Sequence, residues 1–548
     1  MAMETIVTPE MIEEFTSKGY WKNLTIVDHF RQRVKEAPER VAVIDREKRI
    51  TYSELDEMSN RLAFGFLELG IKKQDIVCIQ LPNTVEFVVT FFGLMKIGAV
   101  VVAFPVLFRK KEVDYILKLT SAPAFVIPGV FKGFDYLKMV KGLSPDPATL
   151  KHIIITGDTV PPGTHSYKEM LESKAEERYP ADYLEEIEID PNAVAQIVIS
   201  AGTEAEPKGP MWSHNTICAG MEPFGEAFHT TEESVVFCAV PISSGFGGFC
   251  ACFSVLALTG GTLTVLDRFE ARESMEWIEK EKVTHLLAVS PQLISMMTVP
   301  GFGEYDTSSL TCWISFGAPL PVAVAKEVRS KMDCKVFSGY GSTDGMIVIP
   351  GWDDPLELVT EFVGRPVPGA EIKVLDDDGI EVPPGEVGEL CSKGVIISLG
   401  YYGRPDLTEK SRNKEGWLLT GDLAYVSHNG NIKIVGRKKD IILRGAMNIS
   451  AEEIEELLFT HPKVLNTSVV AMPDHRMGEK VCAYIVPKEG EKISLEEVVS
   501  FLREKDLAVY KLPERIELVN ELPMTPAGKV QKRFLREEIA KKVEKEEG

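Results

Sequence analysis

Thr262-Leu263-Thr264-Val265-Leu266, a helical stretch after Glu270, and then His285-Leu286-Leu287-Ala288-Val289 form the part of the sequence that decides the fold. Two short apolar, β-branched runs flank a segment of helical length, the alternation expected of layered α/β structure. The same rhythm occurs nearer the N-terminus. Thr8-Pro9-Glu10 suits a helix start, with threonine as cap, proline at the first helical position and an acid at the positive end of the helix. Arg49-Ile50-Thr51-Tyr52 reads as a strand end, Ser53 as the cap of a helix reaching Leu69, and Ile76 to Gln80 as the next strand. The apolar run from Phe87 to Phe108 contains Lys96 and is punctuated by Gly98 and Pro105, so it is expected to be a buried helix and strand rather than a membrane span.

Downstream of Gly364 the pattern changes. Asp378-Gly379, Pro384-Gly385 and Asn429-Gly430 are turn pairs between short strands and predict a β-rich module. Beyond Asp440, helix Ser450 to Phe459, strands Val464 to Ala471 and Lys480 to Val486, and helix Ser494 to Leu507 predict a small α+β unit. The expected division is a large domain over residues 1–435, a connection at 436–440 and a small domain over 441–548. A chain of 548 residues exceeds the roughly 250–300 residues that one core supports, so more than one domain is required.

The formal net charge of −21, with no long Lys/Arg run, argues against a nucleic-acid partner. Of the nine cysteines, only Cys250 and Cys252 are close in sequence, and no second pair completes a structural zinc site. They are expected to be reduced and buried. Residues 1–20 lack the basic start and apolar stretch of a signal peptide, which predicts a cytoplasmic protein. The sequence leaves a homo-oligomer open.

Three segments carry the chemistry. Ser200-Ala201-Gly202-Thr203-Glu204-Ala205-Glu206-Pro207-Lys208-Gly209 follows the strand-like Ala193 to Ile199. Small residues there let backbone N–H groups approach a polyphosphate, hydroxyls add donors and a lysine adds charge, although a flexible surface loop has a similar composition. Ser338-Gly339-Tyr340-Gly341-Ser342-Thr343-Asp344-Gly345 follows strand Lys335 to Phe337 and is glycine-rich. Pro523-Met524-Thr525-Pro526-Ala527-Gly528-Lys529 places a lysine after a turn in the small domain.

Together these segments resemble the signatures of the adenylate-forming superfamily of acyl- and aryl-CoA synthetases, and the resemblance runs along the whole chain. It implies nucleotide binding by Ser200, Gly202 and Thr203, with Lys208 as a catalytic cation. Ala201, Glu204 and Ala205 depart from the family's serine, threonine and glycine, placing a carboxylate at the phosphate loop. In the second segment it implies that Tyr340 lies against adenine, that Gly341, Ser342 and Thr343 border the nucleotide and that Asp344 helps hold Mg²⁺. The family usually has glutamate there, so Asp344 is one methylene short. Ser315-Phe316-Gly317-Ala318-Pro319 resembles the adenine cradle and acyl wall, with Phe316 where glycine is usual. Gly317, Ala318 and Pro319 are the nucleotide contacts it implies. Asp422, in Thr420-Gly421-Asp422, and Arg437, in Gly436-Arg437-Lys438-Lys439-Asp440, match ribose ligands. Lys439 matches the hinge, Gly445 the thiol path and Lys529 the mobile catalytic lysine.

The resemblance implies two half-reactions: a carboxylic acid and ATP give acyl-AMP and pyrophosphate, and then the thiol of CoA displaces AMP. Pro241-Ile242-Ser243-Ser244-Gly245-Phe246-Gly247-Gly248 resembles the acyl-pocket segment. Ser244, Phe246, Gly247 and Met346 are its expected lining, forming an apolar and fairly roomy pocket for a medium-chain, alicyclic or aromatic acid. The alternatives are an aryl-acid AMP ligase of the 2,3-dihydroxybenzoate type that loads a phosphopantetheine carrier protein, and a non-catalytic nucleotide or acyl sensor.

Overall fold

A computed structural model describes residues 3–547 except 144–148, 200–206, 318–319, 321, 445–446 and 526–527. The fold is mixed α/β. A nine-stranded and a seven-stranded sheet make the large body, a four-stranded antiparallel sheet follows, and a five-stranded sheet lies in the small C-terminal unit.

The deciding stretch folds as read: strand Thr262–Val265, helix Ala271–Glu281 and strand His285–Leu287. Its strands are not direct neighbours. Val235–Cys238 lies between them, parallel to both, so the sheet interior reads as unbroken apolar runs. The run from Phe87 folds as helix Val85–Lys96, buried except at Glu86, and the fully buried strand Val100–Ala103. Lys96 survives there because its ammonium donates to Asp56 Oδ1, Ser59 Oγ and Asn60 Oδ1, each at 2.7 Å. No described helix is long and apolar enough to cross a membrane. All nine cysteines are free and buried.

Two local expectations change. Thr51, not Ser53, caps helix Tyr52–Glu68, because Thr51 and Glu54 form a reciprocal capping box two residues earlier. Strand Lys335–Phe337 continues to Ser342, so Tyr340, Gly341 and Ser342 lie on the strand. Antiparallel pairing of Ser342 with Met346 holds that extension in place.

The four-stranded sheet ends with Ile432–Arg437, and the five-stranded sheet starts at Ile442–Arg444. Lys438–Asp440 between them is a single 3₁₀ turn. The small unit has its own core, from Ile442 and Ile449 to Leu502 and Leu512. A second cluster there, which includes Tyr484 and Leu522, seats Leu535 and Ile539 of helix Lys532–Glu547.

Candidate active site

Strands Cys312–Phe316 and Lys335–Ser342 run parallel in register, Phe316 opposite Gly339, and deliver Gly317 and Tyr340 at their carboxyl ends. That edge is where open α/β sheets bind ligands. From the four-stranded sheet, paired neighbours Asp422 and Arg437 meet Tyr340. The Tyr340 hydroxyl donates to Asp422 Oδ2 at 2.5 Å, and Arg437 Nε lies 2.7 Å from Asp422 Oδ1. Asp422 is 3% exposed. Burial and then the charge of Asp422 push the Tyr340 hydroxyl well above its ordinary value. Burial would lower Arg437, but the neighbouring charge of Asp422 raises it. Both oxygens of Asp422 are therefore engaged, which fixes its orientation.

Lys208 and Asp344 converge through Tyr401. The Lys208 ammonium lies 5.1 Å from the centroid of the Tyr401 ring. The backbone around the ring is pinned by the Pro210–Tyr401 bridge and by Tyr402 N–H donating to Gly209 O at 2.8 Å. Burial first, and then Asp344, raises the Tyr401 hydroxyl far above the usual tyrosine value. Arg412 stands nearby; burial lowers its guanidinium, while Tyr401 and Asp344 act in the opposite direction. Asp344 Oδ1 and Arg412 Nε are buried atoms without a hydrogen-bond partner among the described residues. A buried, unmatched carboxylate oxygen is a donor that fits a hard cation such as Mg²⁺. Among the described residues no cluster of three or more His, Cys, Asp or Glu forms a ready-made metal cage, so phosphate and water oxygens would complete the shell.

Lys529 reaches this edge from the small unit. A Cβ on Gly317 would stand 3.1 Å from Lys529 Cε, and one on Gly528 would stand 2.6 Å from Val289 Cγ2. The turn is fixed by Thr525 N–H donating to Lys529 O at 2.7 Å and Lys529 N–H donating to Thr525 Oγ1 at 3.0 Å. The lysine keeps solvent access. Crowding by protein first, and then Arg437, lowers its ammonium from the ordinary value, while Asp422 pulls it up.

The acyl-wall residues do not all gather. Phe246 stacks on Phe316 with centroids 4.7 Å apart and planes at 23°. The Ser244 hydroxyl donates to Pro241 O at 2.6 Å and accepts from Gly247 N–H at 3.2 Å, so it caps the short helix Gly245–Gly248. Gly247 is pressed on Pro241, whose carbonyl oxygen would be 2.2 Å from an added Cβ. Met346, 1% exposed, packs in the cluster of Val348, Val374 and Leu390, not in that of Phe316. Ser200, Gly202, Thr203, Glu204, Ala205, Ala318, Pro319 and Gly445 lie outside the described residues. Sequence reading missed Tyr401 and Arg412. Nothing in their local pattern marks them, because pairing between distant segments brings them to Asp344.

The family model described as "AMP-binding enzyme" matches residues 30–402, and the "AMP-binding enzyme C-terminal domain" model matches 453–529. The medium-chain fatty-acid–CoA ligase of Escherichia coli (strain K12) is 34% identical over 532 residues, covering 96% of this chain and 93% of the relative. The 2,3-dihydroxybenzoate-AMP ligase of Bacillus subtilis (strain 168) is 31% identical over 540 residues, 97% of each chain. The solved structure of the anthranilate CoA ligase AuaEII in complex with anthranoyl-AMP superposes with a TM-score of 0.85 at 23% identity, over 95% of this chain and 98% of that one, and shows the shared fold. Two family matches spanning most of the chain, and a ligase relative 34% identical over nearly its whole length, lead to one conclusion: this chain belongs to the AMP-binding enzyme family, as an AMP-forming ligase that activates an acid by adenylation.

Proposed function

We propose that the enzyme joins an apolar carboxylic acid to CoA in two steps, both at the edge formed by Gly317, Tyr340 and Asp422. In the first, a carboxylate oxygen attacks the α-phosphorus of ATP, the α–β phosphoanhydride bond breaks, and pyrophosphate leaves with the electron pair. Asp422 and Arg437 hold the ribose, Tyr340 backs the adenine, and Lys208 and Lys529 offset charge that develops on the phosphates. Mg²⁺, when bound, neutralises the phosphate oxygens, and Asp344 is the residue suited to hold it. The observation that carries this reading is Lys529 lying against Gly317, beside Arg437 and Asp422.

In the second step the CoA thiol attacks the acyl carbonyl and AMP departs. The lysine must then withdraw. The 3₁₀ turn Lys438–Asp440 is the proposed hinge, between a large domain over 1–435 and a lid over 441–548. The small domain's Ser450 hydroxyl donates to Val435 O at 2.8 Å, and Arg536 of the last helix pairs with Asp440 across it. The Phe246–Phe316 wall favours an aromatic, alicyclic or medium-chain acid. The Escherichia coli relative named as a fatty-acid ligase favours CoA as acceptor, and the Bacillus subtilis relative named as an AMP ligase keeps a carrier protein as the second reading.

ATP–pyrophosphate exchange across a panel of carboxylic acids, repeated with CoA and with a phosphopantetheine carrier protein, tests both steps. Exchange with apolar acids followed by CoA thioester is the expected result. Thioester formed on the carrier alone would replace CoA, and no exchange with any acid would overturn the reading.

A further inference from the structure

Phe316 ends its strand one residue before Gly317, the glycine that faces Lys529. Its neighbour across the parallel pair is Gly339. The Phe316 ring folds over that neighbour: a Cβ on Gly339 would lie 2.0 Å from Phe316 Cζ, and one on Gly341 would lie 3.6 Å from Phe316 Cδ1. Any larger residue at 339 would displace the ring, so these glycines open a platform that the chain fills with its own phenylalanine. Phe246 covers the ring with near-parallel stacking, and Phe224 meets it at 5.8 Å and 56°. Phe316 is 5% exposed, whereas Phe246 is only half-buried.

An acid whose carboxylate reacts beneath Lys529, beside Gly317, has its first carbons within one residue of this stack. An apolar tail running along the strand edge there meets the rings as a wall. We infer that Phe316, seated on Gly339 and stacked on Phe246, is the specificity-determining residue that ends the acid's tail site and so selects compact or flat apolar acids over extended chains. This inference rests on the proposed acid-activating reading and narrows its substrate class. A pocket closed by packed rings rejects extra length, because overpacking is resisted as firmly as cavities are.

The test measures kcat/KM for ATP–pyrophosphate exchange with benzoate, cyclohexanecarboxylate and straight-chain acids from butanoate to dodecanoate. Wild type is compared with Phe316→Ala and with Phe316→Leu, which keeps apolar bulk while losing the flat ring. Calorimetric binding of decanoate and thermal melting accompany the kinetics. The expected result is that Phe316→Ala shifts preference to the longer acids by about tenfold or more, mostly through KM, with tighter decanoate binding. Phe316→Leu should fall between, and it decides the matter if the alanine variant does not fold. Folded variants that keep the wild-type length profile overturn the inference while leaving acid activation intact. A wild type silent with every acid overturns both.

Discussion

Gly317 and Lys529, 212 positions apart in the sequence, meet so closely that a methyl group on the glycine would stand 3.1 Å from the lysine Cε. Gly317 has φ +87°, a left-handed conformation that favours glycine. Gly317→Ala adds backbone strain of roughly 1–3 kcal/mol and a side chain in the lysine's path. Adenylation measured by pyrophosphate exchange should fall on the order of 10²-fold, as expected for a misplaced reacting group. Thioester formation from supplied acyl-adenylate should change far less.

Lys529→Ala should abolish exchange while leaving thioester formation from synthetic acyl-adenylate. Retention of wild-type exchange would remove Lys529 from the first step.

The proposed role of Lys529 requires its cation, and its surroundings lower its pKa. Exchange should therefore decline on the alkaline side at a pH below the ordinary lysine value of about 10.4. An alkaline limb at or above that value would contradict the assignment.

Asp422 is bonded to both Tyr340 and Arg437. Asp422→Asn keeps the shape but removes the charge, leaving Arg437 unmatched. Since Arg437 is part-exposed, the loss should be roughly 1–3 kcal/mol in melting experiments. The KM for ATP should rise tenfold or more, with a smaller effect on the KM for the acid. Equal effects on both would mean that Asp422 acts only through the fold.

His214 is 2% exposed, accepts Ile26 N–H at its Nδ1, and is pushed by burial down to about 4. Its folded pKa is below the unfolded value of about 6.5, so the unfolded chain gains the proton first as pH falls. Stability is complete above about pH 6.5 and declines towards pH 4, by on the order of 3 kcal/mol. Denaturant melts of wild type and His214→Asn across that range should show a weaker acid dependence in the variant.

The sequence by itself determined the α/β class, the hairpin module and the small final unit, because periodicity, caps and turn pairs are local properties. It also marked Lys529, Asp422 and Tyr340 as candidates, since short motifs carry their own backbone chemistry. Tertiary structure decided what those residues face. Strand register put Phe316 on Gly339, cross-sheet pairing brought Tyr401 to Asp344, and a helix cap engaged the Ser244 hydroxyl. A side chain's neighbours across a sheet depend on pairing between distant segments, which no local pattern encodes.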